Sequence, residues 1–338
     1  MPSIALNFED GITKIIEGLP GETVAETAYR QGINIPLDCA DGACGTCKCL
    51  SRSGQYDPGD YIEDALSDEE AAEGYGLACQ MRPETDLVVD ILASSAACKV
   101  EVISFDTTIT GIDFVSPEVV KLQVKTNNGQ CINFLPGQYA NVEIPGLDTT
   151  RSYSFSNLCN TAELEFLVRL VPDGLMSTYL KEQAKLGDTL QLTGPLGSFY
   201  SREIARPTLF YAGGTGIAPF IAMLEKLAKE AVAHPIQLYY GATTEENLVE
   251  LERLKAFSET LPLEVYCCVS GAPSANYPGG FVTQWINKEH LKAAAYDVYI
   301  CGPNAMVEAV KQALEEEEIG HENFYTEKFV PTGQTEAK

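Results

Sequence analysis

Asp38-Cys-Ala-Asp-Gly-Ala-Cys-Gly-Thr-Cys47 is the stretch that decides how the first third of this chain folds. It places Cys39, Cys44 and Cys47 in one short loop, and Cys79 stands alone further on. The residues between the three thiols are small, so the backbone can close around whatever they hold. Gly42 and Gly45 admit backbone angles that side chains resist, which lets N–H groups turn toward the sulfurs. The chain has eleven cysteines. Its first basic residue is Lys14, so a basic leader is not expected at its start. A cytosolic, reducing setting is expected, in which clustered thiols point to metal or redox chemistry rather than to disulfides.

The spacing C-x4-C-x2-C with a distant fourth cysteine resembles the plant-type [2Fe–2S] ferredoxins. That resemblance covers residues 1–98 and implies an α+β, β-grasp-like domain with Cys39, Cys44, Cys47 and Cys79 as ligands. A structural zinc site with four thiolates is the alternative, although such sites usually pair their ligands into two close knuckles and Cys79 has no near neighbour. Cys49 reads as a packed or spare thiol. Cys98, Cys131, Cys159, Cys267 and Cys268 read as small buried apolar residues.

A chain of 338 residues accommodates two or three domains. In the first segment, Thr23-Val-Ala-Glu26 and Ser67-Asp-Glu-Glu70 are capping boxes that start two short helices, stopped at Gly32 and Gly74. Ala93-Ser-Ser-Ala-Ala97 reads as a linker. Residues 99–205 show short strands at Lys99–Phe105, Val119–Lys125, Tyr139–Glu143, Arg151–Phe155, Glu163–Val171 and Thr189–Gly194, with turn signals between them. This spacing predicts an antiparallel β-barrel. Residues 206–338 alternate strands starting near Thr208, Ile236, Leu263, Asp297 and Asn323 with helices at Phe220–Ala231, Leu248–Phe257 and Met306–Glu317. That rhythm predicts an α/β domain with a parallel sheet.

Arg151-Ser-Tyr-Ser154 is similar to the R-x-Y-S motif of the ferredoxin–NADP reductase-type flavoproteins, with Pro136-Gly-Gln-Tyr139 upstream and Gly174-Leu-Met-Ser177 downstream in the family's order. The residue types suit a flavin. Arg151 can hold a pyrophosphate bidentately, and Gly174, Met176 and Ser177 open a helix whose N-terminus can take an anion. The resemblance implies FAD bound by Arg151, Ser152, Tyr153 and Ser154, with Ser154 near the ring nitrogen that receives hydride. FMN is the rival. Its usual carriers place the ferredoxin last, whereas here it comes first.

Gly213-Gly-Thr-Gly-Ile-Ala-Pro219 follows a strand and opens a helix, a turn that lets a phosphate approach. It is similar to the same family's glycine turn and implies that Gly214, Thr215 and Gly216 bind the dinucleotide. Cys301-Gly-Pro303 resembles the family's C-G-P motif, with Cys301 beside nicotinamide and flavin. Glu327 and Phe329 match its terminal E-x-aromatic pattern, in which the ring covers the flavin. Gly241-Ala-Thr-Thr-Glu-Glu246, after the second strand, holds two glutamates and no base, which favours NADH over its 2′-phosphorylated form.

The net charge is −25, which disfavours nucleic acid and anionic membranes as partners. Residues 1–98 hold 18 acidic and 5 basic residues, so a small domain bears about half of the charge and would steer toward a basic surface. Asp38, Asp41, Asp57, Asp60, Glu63 and Asp64 surround or follow the cysteine loop. No stretch has the length of a membrane span. His234, His290 and His321 are not paired at ligand spacing, so oxygen activation within this chain is not expected. The order ferredoxin, flavin, nucleotide domain resembles the reductase components of bacterial aromatic-ring oxygenases of the benzoate/toluate 1,2-dioxygenase kind. It implies electron flow from NADH through FAD and [2Fe–2S] to a Rieske-type terminal oxygenase. A methane- or phenol-type monooxygenase reductase shares this layout, and a cofactor-binding redox sensor is the rival of another class.

Overall fold

The computed structural model describes residues 1–37, 39, 41–99, 101–271 and 274–329. Asp38, named above among the loop acids, lies outside the described residues. The chain divides into two compact units, residues 1–103 with 194–198, and residues 104–193 with 199–338.

The first unit is built from β1 (Ser3–Phe8), β2 (Thr13–Glu17), α1 (Val24–Arg30), β3 (Lys48–Ser53), β4 (Tyr56–Asp57), α2 (Asp68–Ala72), β5 (Tyr75–Leu77), β6 (Arg82–Pro83) and β7 (Leu87–Ile91). Five strands form one sheet in the order β2-β1-β7-β3-β5, with β1 and β7 parallel and the other pairs antiparallel. Ile4, Leu6 and Phe8 alternate with less buried residues, as do Leu87, Val89 and Ile91. This period of two puts one sheet face in the core. Both capping boxes form as their sequences require, with Glu26 N–H donating to Thr23 and Glu70 N–H to Ser67. The small-residue run after β7 is not a loose tether. Ser95 donates from both its N–H and its Oγ to Asp10 Oδ2, and Ala93, Ser95, Ala97 and Cys98 are buried.

The second unit begins with a sheet of β8 (Ile103–Ser116), β9 (Val119–Thr126), β10 (Tyr139–Glu143), β11 (Thr150–Ser154), β12 (Glu163–Arg169) and β13 (Thr189–Leu196), with α3 (Leu175–Glu182) between the last two. The order is β11-β10-β13-β8-β9-β12. An antiparallel bridge between Phe155 and Phe166 joins the two edge strands and closes the sheet as a barrel. Phe134 stacks on Phe155 at 4.0 Å inside it. The strand expected over Lys99–Phe105 begins instead at Ile103 and runs on to Ser116, because Ala97–Lys99 forms a 3-10 turn. Gly111 sits at a register irregularity, where β8 accommodates one residue more than its partner strand.

The remainder is β14 (Thr208–Gly213), α4 (Ala218–Leu227), β15 (Ile236–Ala242), α5 (Leu251–Thr260), β16 (Leu263–Val269), β17 (Tyr296–Pro303), α6 (Asn304–Glu316) and β18 (His321–Phe329). All five strands are parallel in the order β16-β15-β14-β17-β18. Phe210 and Ala212 pack under α4 and α5 on one face, while Leu209 and Tyr211 pack with Val307, Val310 and Leu314 of α6 on the other. The helix expected from Leu248 starts at Leu251, because Glu250 takes a left-handed φ of +63° and interrupts the turn. The helix expected over Phe220–Ala231 runs from Ala218 to Leu227.

Candidate functional site

The cysteine loop lies between α1 and β3, and Cys79 lies just past β5. Residues 60–65 wrap over the loop. Ile62 N–H donates to the Gly42 carbonyl at 3.2 Å. A Cβ at Gly42 would stand 2.4 Å from Asp60 O, and one at Gly45 would stand 2.8 Å from Ala65 O. Both glycines have left-handed φ, +79° and +71°, so the wrap needs them for conformation and for room.

The four thiols associate two by two. Cys39 and Cys44 share a hydrogen bond, as do Cys47 and Cys79. Cys79 also donates its N–H to Cys47 Sγ at 3.5 Å. Among the described residues, no three metal-ligating side chains converge on one ion. Two pairs suit two irons better than one zinc, so the donors present fit a [2Fe–2S] cluster. The Cys79 thiol is lowered to about 6 by its hydrogen bond with Cys47, with help from Gln80 and the Gly42 backbone, while Cys47 is pushed up by the same contact. Gln80, whose Nε2 donates to Cys79 Sγ at 3.7 Å, escaped the sequence reading. A single glutamine beside a cysteine carries no spacing signal.

Cys49 is fully buried with its thiol within hydrogen-bond reach of Gly76 O and Met81 Sδ, which makes it a packed thiol. Cys98 and Cys268 are buried as expected. Cys131 is instead exposed and Cys159 half-buried, because both fall in loops, while Cys267, within the edge strand β16, is half-buried against the apolar cluster.

In the barrel, β11 carries the R-x-Y-S residues, paired with β10 so that Tyr139 faces Ser154 and Val142 faces Arg151. Arg151 Nη1 donates to Thr149 Oγ1 and to Thr150 O. Ser152 Oγ donates to Asn141 Oδ1 at 2.7 Å. Burial raises the Tyr153 hydroxyl, so the ring stays neutral. Gly174 is the N-cap of α3, Met176 is buried, and Ser177 Oγ accepts the Val171 N–H at 2.9 Å.

The parallel sheet reverses its order between β14 and β17, and the crevice at such a point is where open α/β sheets take ligands. Gly214–Ile217 forms a single 3-10 turn from β14 into α4, with Pro219 in the first helical turn. A Cβ at Gly214 would meet nothing within 4 Å, leaving open space for an approaching group. Gly216 is different, since a Cβ there would stand 2.3 Å from Cys301 O. The glycine turn and the Cys301-Gly-Pro303 strand end therefore press together.

Ser154, Cys301 and Glu327 come together from β11, β17 and β18. Ser154 Oγ donates to Glu327 Oε2 at 3.0 Å, and Cys301 Sγ lies 3.7 Å from the same oxygen. β18 pairs Glu327 with Cys301 and Phe329 with Pro303. Cys301 is fully buried, and burial and the Glu327 carboxylate both push its thiol well up, so it remains protonated. Phe329 is half-buried against the apolar cluster beside α4 and α5. The arrangement can hold a proton between a hydroxyl, a thiol and a carboxylate at the joint of barrel and parallel sheet.

Comparison with known proteins extends along the whole chain. Residues 7–84 match a family described as a 2Fe-2S iron-sulfur cluster binding domain. Residues 106–200 match an oxidoreductase FAD-binding domain, and residues 210–312 match an oxidoreductase NAD-binding domain. The chain is 49% identical over 96% of its length, and 98% of the relative's, to the toluate 1,2-dioxygenase electron transfer component of Pseudomonas putida. It is 45% identical to the 2-halobenzoate 1,2-dioxygenase electron transfer component of Burkholderia cepacia, over 98% of both chains. Among solved structures, an Amycolatopsis cytochrome P450 reductase aligns over 97% of this chain and 99% of its own, with a TM-score of 0.74 and 30% identity. A fold of iron–sulfur, flavin and nucleotide domains, carried in that order and matched end to end by such relatives, places this oxidoreductase in the family of dioxygenase electron transfer components.

Proposed function

We propose that this chain oxidises NADH and delivers the electrons singly to the Rieske-type terminal oxygenase of a benzoate-type aromatic-ring dioxygenase. The observation that carries the reading is the meeting of Ser154, Cys301 and Glu327 at the seam between a flavin-type barrel and a nucleotide-type sheet, in a chain that also holds paired cluster thiols. When bound, FAD supplies the exchange between two-electron and one-electron chemistry, and the cluster supplies a one-electron carrier.

The protein's own residues would bind, orient and shield. Cys39, Cys44, Cys47 and Cys79 would hold the cluster. Arg151, Ser152, Tyr153 and Ser154, with Gly174, Met176 and Ser177, would hold FAD. Gly214, Thr215, Gly216, Cys301, Gly302 and Pro303 would hold NADH. Ser154 would present its hydroxyl with its proton oriented by Glu327, and Cys301, kept neutral, would line the hydride path. Phe329 would exclude water from the same place. Glu245 and Glu246, which follow β15, would repel a 2′-phosphate.

The three domains would meet at residues 98/99 and 205/206. No helix among the described residues is long and apolar enough to cross a membrane, and a cytoplasmic setting accords with the thiol-rich composition. The test is a reconstitution. The chain with its cofactors should reduce a one-electron dye with NADH and far less with NADPH, and should support turnover of benzoate by an added benzoate-type oxygenase. No NADH-driven dye reduction would point to a sensor. Dye reduction with support only for a monooxygenase would point to that partner class.

A further inference from the structure

Arg253, on α5, gathers groups from both halves of the second unit. Its Nη1 donates to Glu165 Oε1 of β12 at 2.8 Å and to Glu250 Oε2 at 3.1 Å. Its Nη2 donates to the Ser156 carbonyl at 3.1 Å and lies 3.3 Å from Glu225 Oε1 of α4. Glu250 is almost wholly buried, and it also takes Lys121 of β9 at 2.6 Å. Glu250 itself stands at a left-handed φ of +63°, a conformation uncommon for a residue with a side chain. A second tie lies alongside, where Asn247 accepts from Ser116 Oγ and donates to Glu118 Oε2.

We propose that Arg253 is a positioning residue, whose single guanidinium fixes the flavin-motif strand β11 relative to the nucleotide helix α4 and so sets the reach between the two binding sites. Ser156, whose carbonyl it holds, is two residues beyond Ser154. Glu225 lies on the helix that opens at the Gly214–Ile217 turn. Ser156 follows the end of β11 directly after the Phe155–Phe166 bridge, and Glu225 lies on a stiff helix, so a contact at each bears on the position of its motif. The guanidinium suits this because its planar fork addresses several acceptors in fixed directions, which an ammonium cannot do. Because the network is largely buried, salt screens it little. This inference rests on the electron-transfer reading above.

The test compares the wild-type chain, loaded with FAD, with its Arg253→Lys and Arg253→Met variants. Four quantities are read: the single-turnover rate of flavin bleaching by NADH, the Kd for NADH, Tm, and amide hydrogen exchange in residues 153–157 and 213–220 before NADH is added. Displacing reacting groups by an ångström or so costs rate steeply, so both variants should lose on the order of 10-fold in the bleaching rate while Kd changes by less than about twofold. Exchange should rise in both segments together. Arg253→Lys, which keeps the charge, should hold Tm near wild type and still lose rate, an outcome that a merely structural role does not give. An unchanged bleaching rate in Arg253→Lys, or unchanged exchange in the two segments, overturns the proposal. If Arg253→Met does not fold, the lysine variant decides alone. If the wild type itself is not bleached by NADH, the electron-transfer reading fails, and the exchange data separately decide whether the tie exists.

Discussion

Ser154 and Glu327, 173 residues apart in the chain, are joined by a 3.0 Å hydrogen bond from the serine hydroxyl to the glutamate Oε2. The carboxylate thereby orients the hydroxyl. Ser154→Ala removes the donor without disturbing the barrel core. Flavin reduction by NADH in stopped flow should slow on the order of 10- to 100-fold, with flavin content and Tm close to wild type. An unchanged rate would remove Ser154 from the reaction.

The pairing of thiols separates ligands from bystanders. Cys39→Ser should abolish the iron–sulfur absorbance and leave bound FAD, so that NADH still reduces a two-electron dye and cytochrome-type acceptors slow greatly. Cys49→Ser should keep the absorbance, since Cys49 is engaged with Gly76 and Met81. A cluster that survives in the first variant, or is lost in the second, would reverse the assignment.

Cys301 should resist alkylation. Burial and the neighbouring Glu327 both disfavour its thiolate, so its pKa is raised and the reactive form is scarce at neutral pH. The sign is clear: reactivity should appear only as pH climbs well above the range in which an ordinary cysteine ionises. With iodoacetamide at neutral pH, peptide mass spectrometry should find Cys131, which is exposed, modified long before Cys301. Early labelling of Cys301 would show that the site opens.

Glu245 is held by Ser274 Oγ and Asn276 Nδ2, and these two hydrogen bonds, the serine's first, keep its carboxyl below the usual range. It is therefore a fixed negative charge after β15. Glu245→Ala should raise kcat/KM for NADPH relative to NADH on the order of 10-fold. A ratio that stays put would place the discrimination elsewhere.

Salt should act on one step and spare another. Asp57, Asp60, Glu63 and Asp64 are exposed beside the cysteine loop, and Ile62 among them is 50% exposed. Electron delivery to the oxygenase should slow as ionic strength rises, because the Debye length is only about 8 Å at physiological strength. Flavin reduction by NADH should change less. Neutralising Asp57 and Asp60 together should slow delivery alone, and a delivery rate independent of salt would leave these acids a role in solubility.

Much of this was legible in the residues because the signals were local. Both capping boxes announce their helices, and β10 occupies the very residues its alternation marks out. The motif residues Ser154, Cys301 and Glu327 could be picked out singly. Their convergence could not, since it depends on strands β11, β17 and β18 meeting across long separations in sequence. The errors share that origin. The strand expected over Lys99–Phe105 starts late and runs on to Ser116, carrying an irregularity at Ile109–Gly111 that is set by its pairing with β9. Glu250 belongs to a helical run by composition, yet it stands outside the helix at a left-handed φ, paired with Arg253 nearby and with Lys121 from a distant strand. Arg253 and Gln80 carry no spacing signature at all, because their partners are set by tertiary contacts.

The run from Ala93 to Lys99 bears on how the iron–sulfur domain can be obtained by itself. Endoproteases thread an extended, accessible strand through their clefts, and this segment offers neither property while Ser95 is bonded to Asp10 and Ala97 and Cys98 are buried. Cys98 further accepts the Asn34 N–H through its carbonyl, which secures the loop after α1. Gentle digestion should leave the peptide bonds between residues 94 and 98 uncut. A recombinant fragment ended at residue 94 would lose Ser95, Ala97 and Cys98 from its own interior and strand the Asp10 carboxylate without two of its donors.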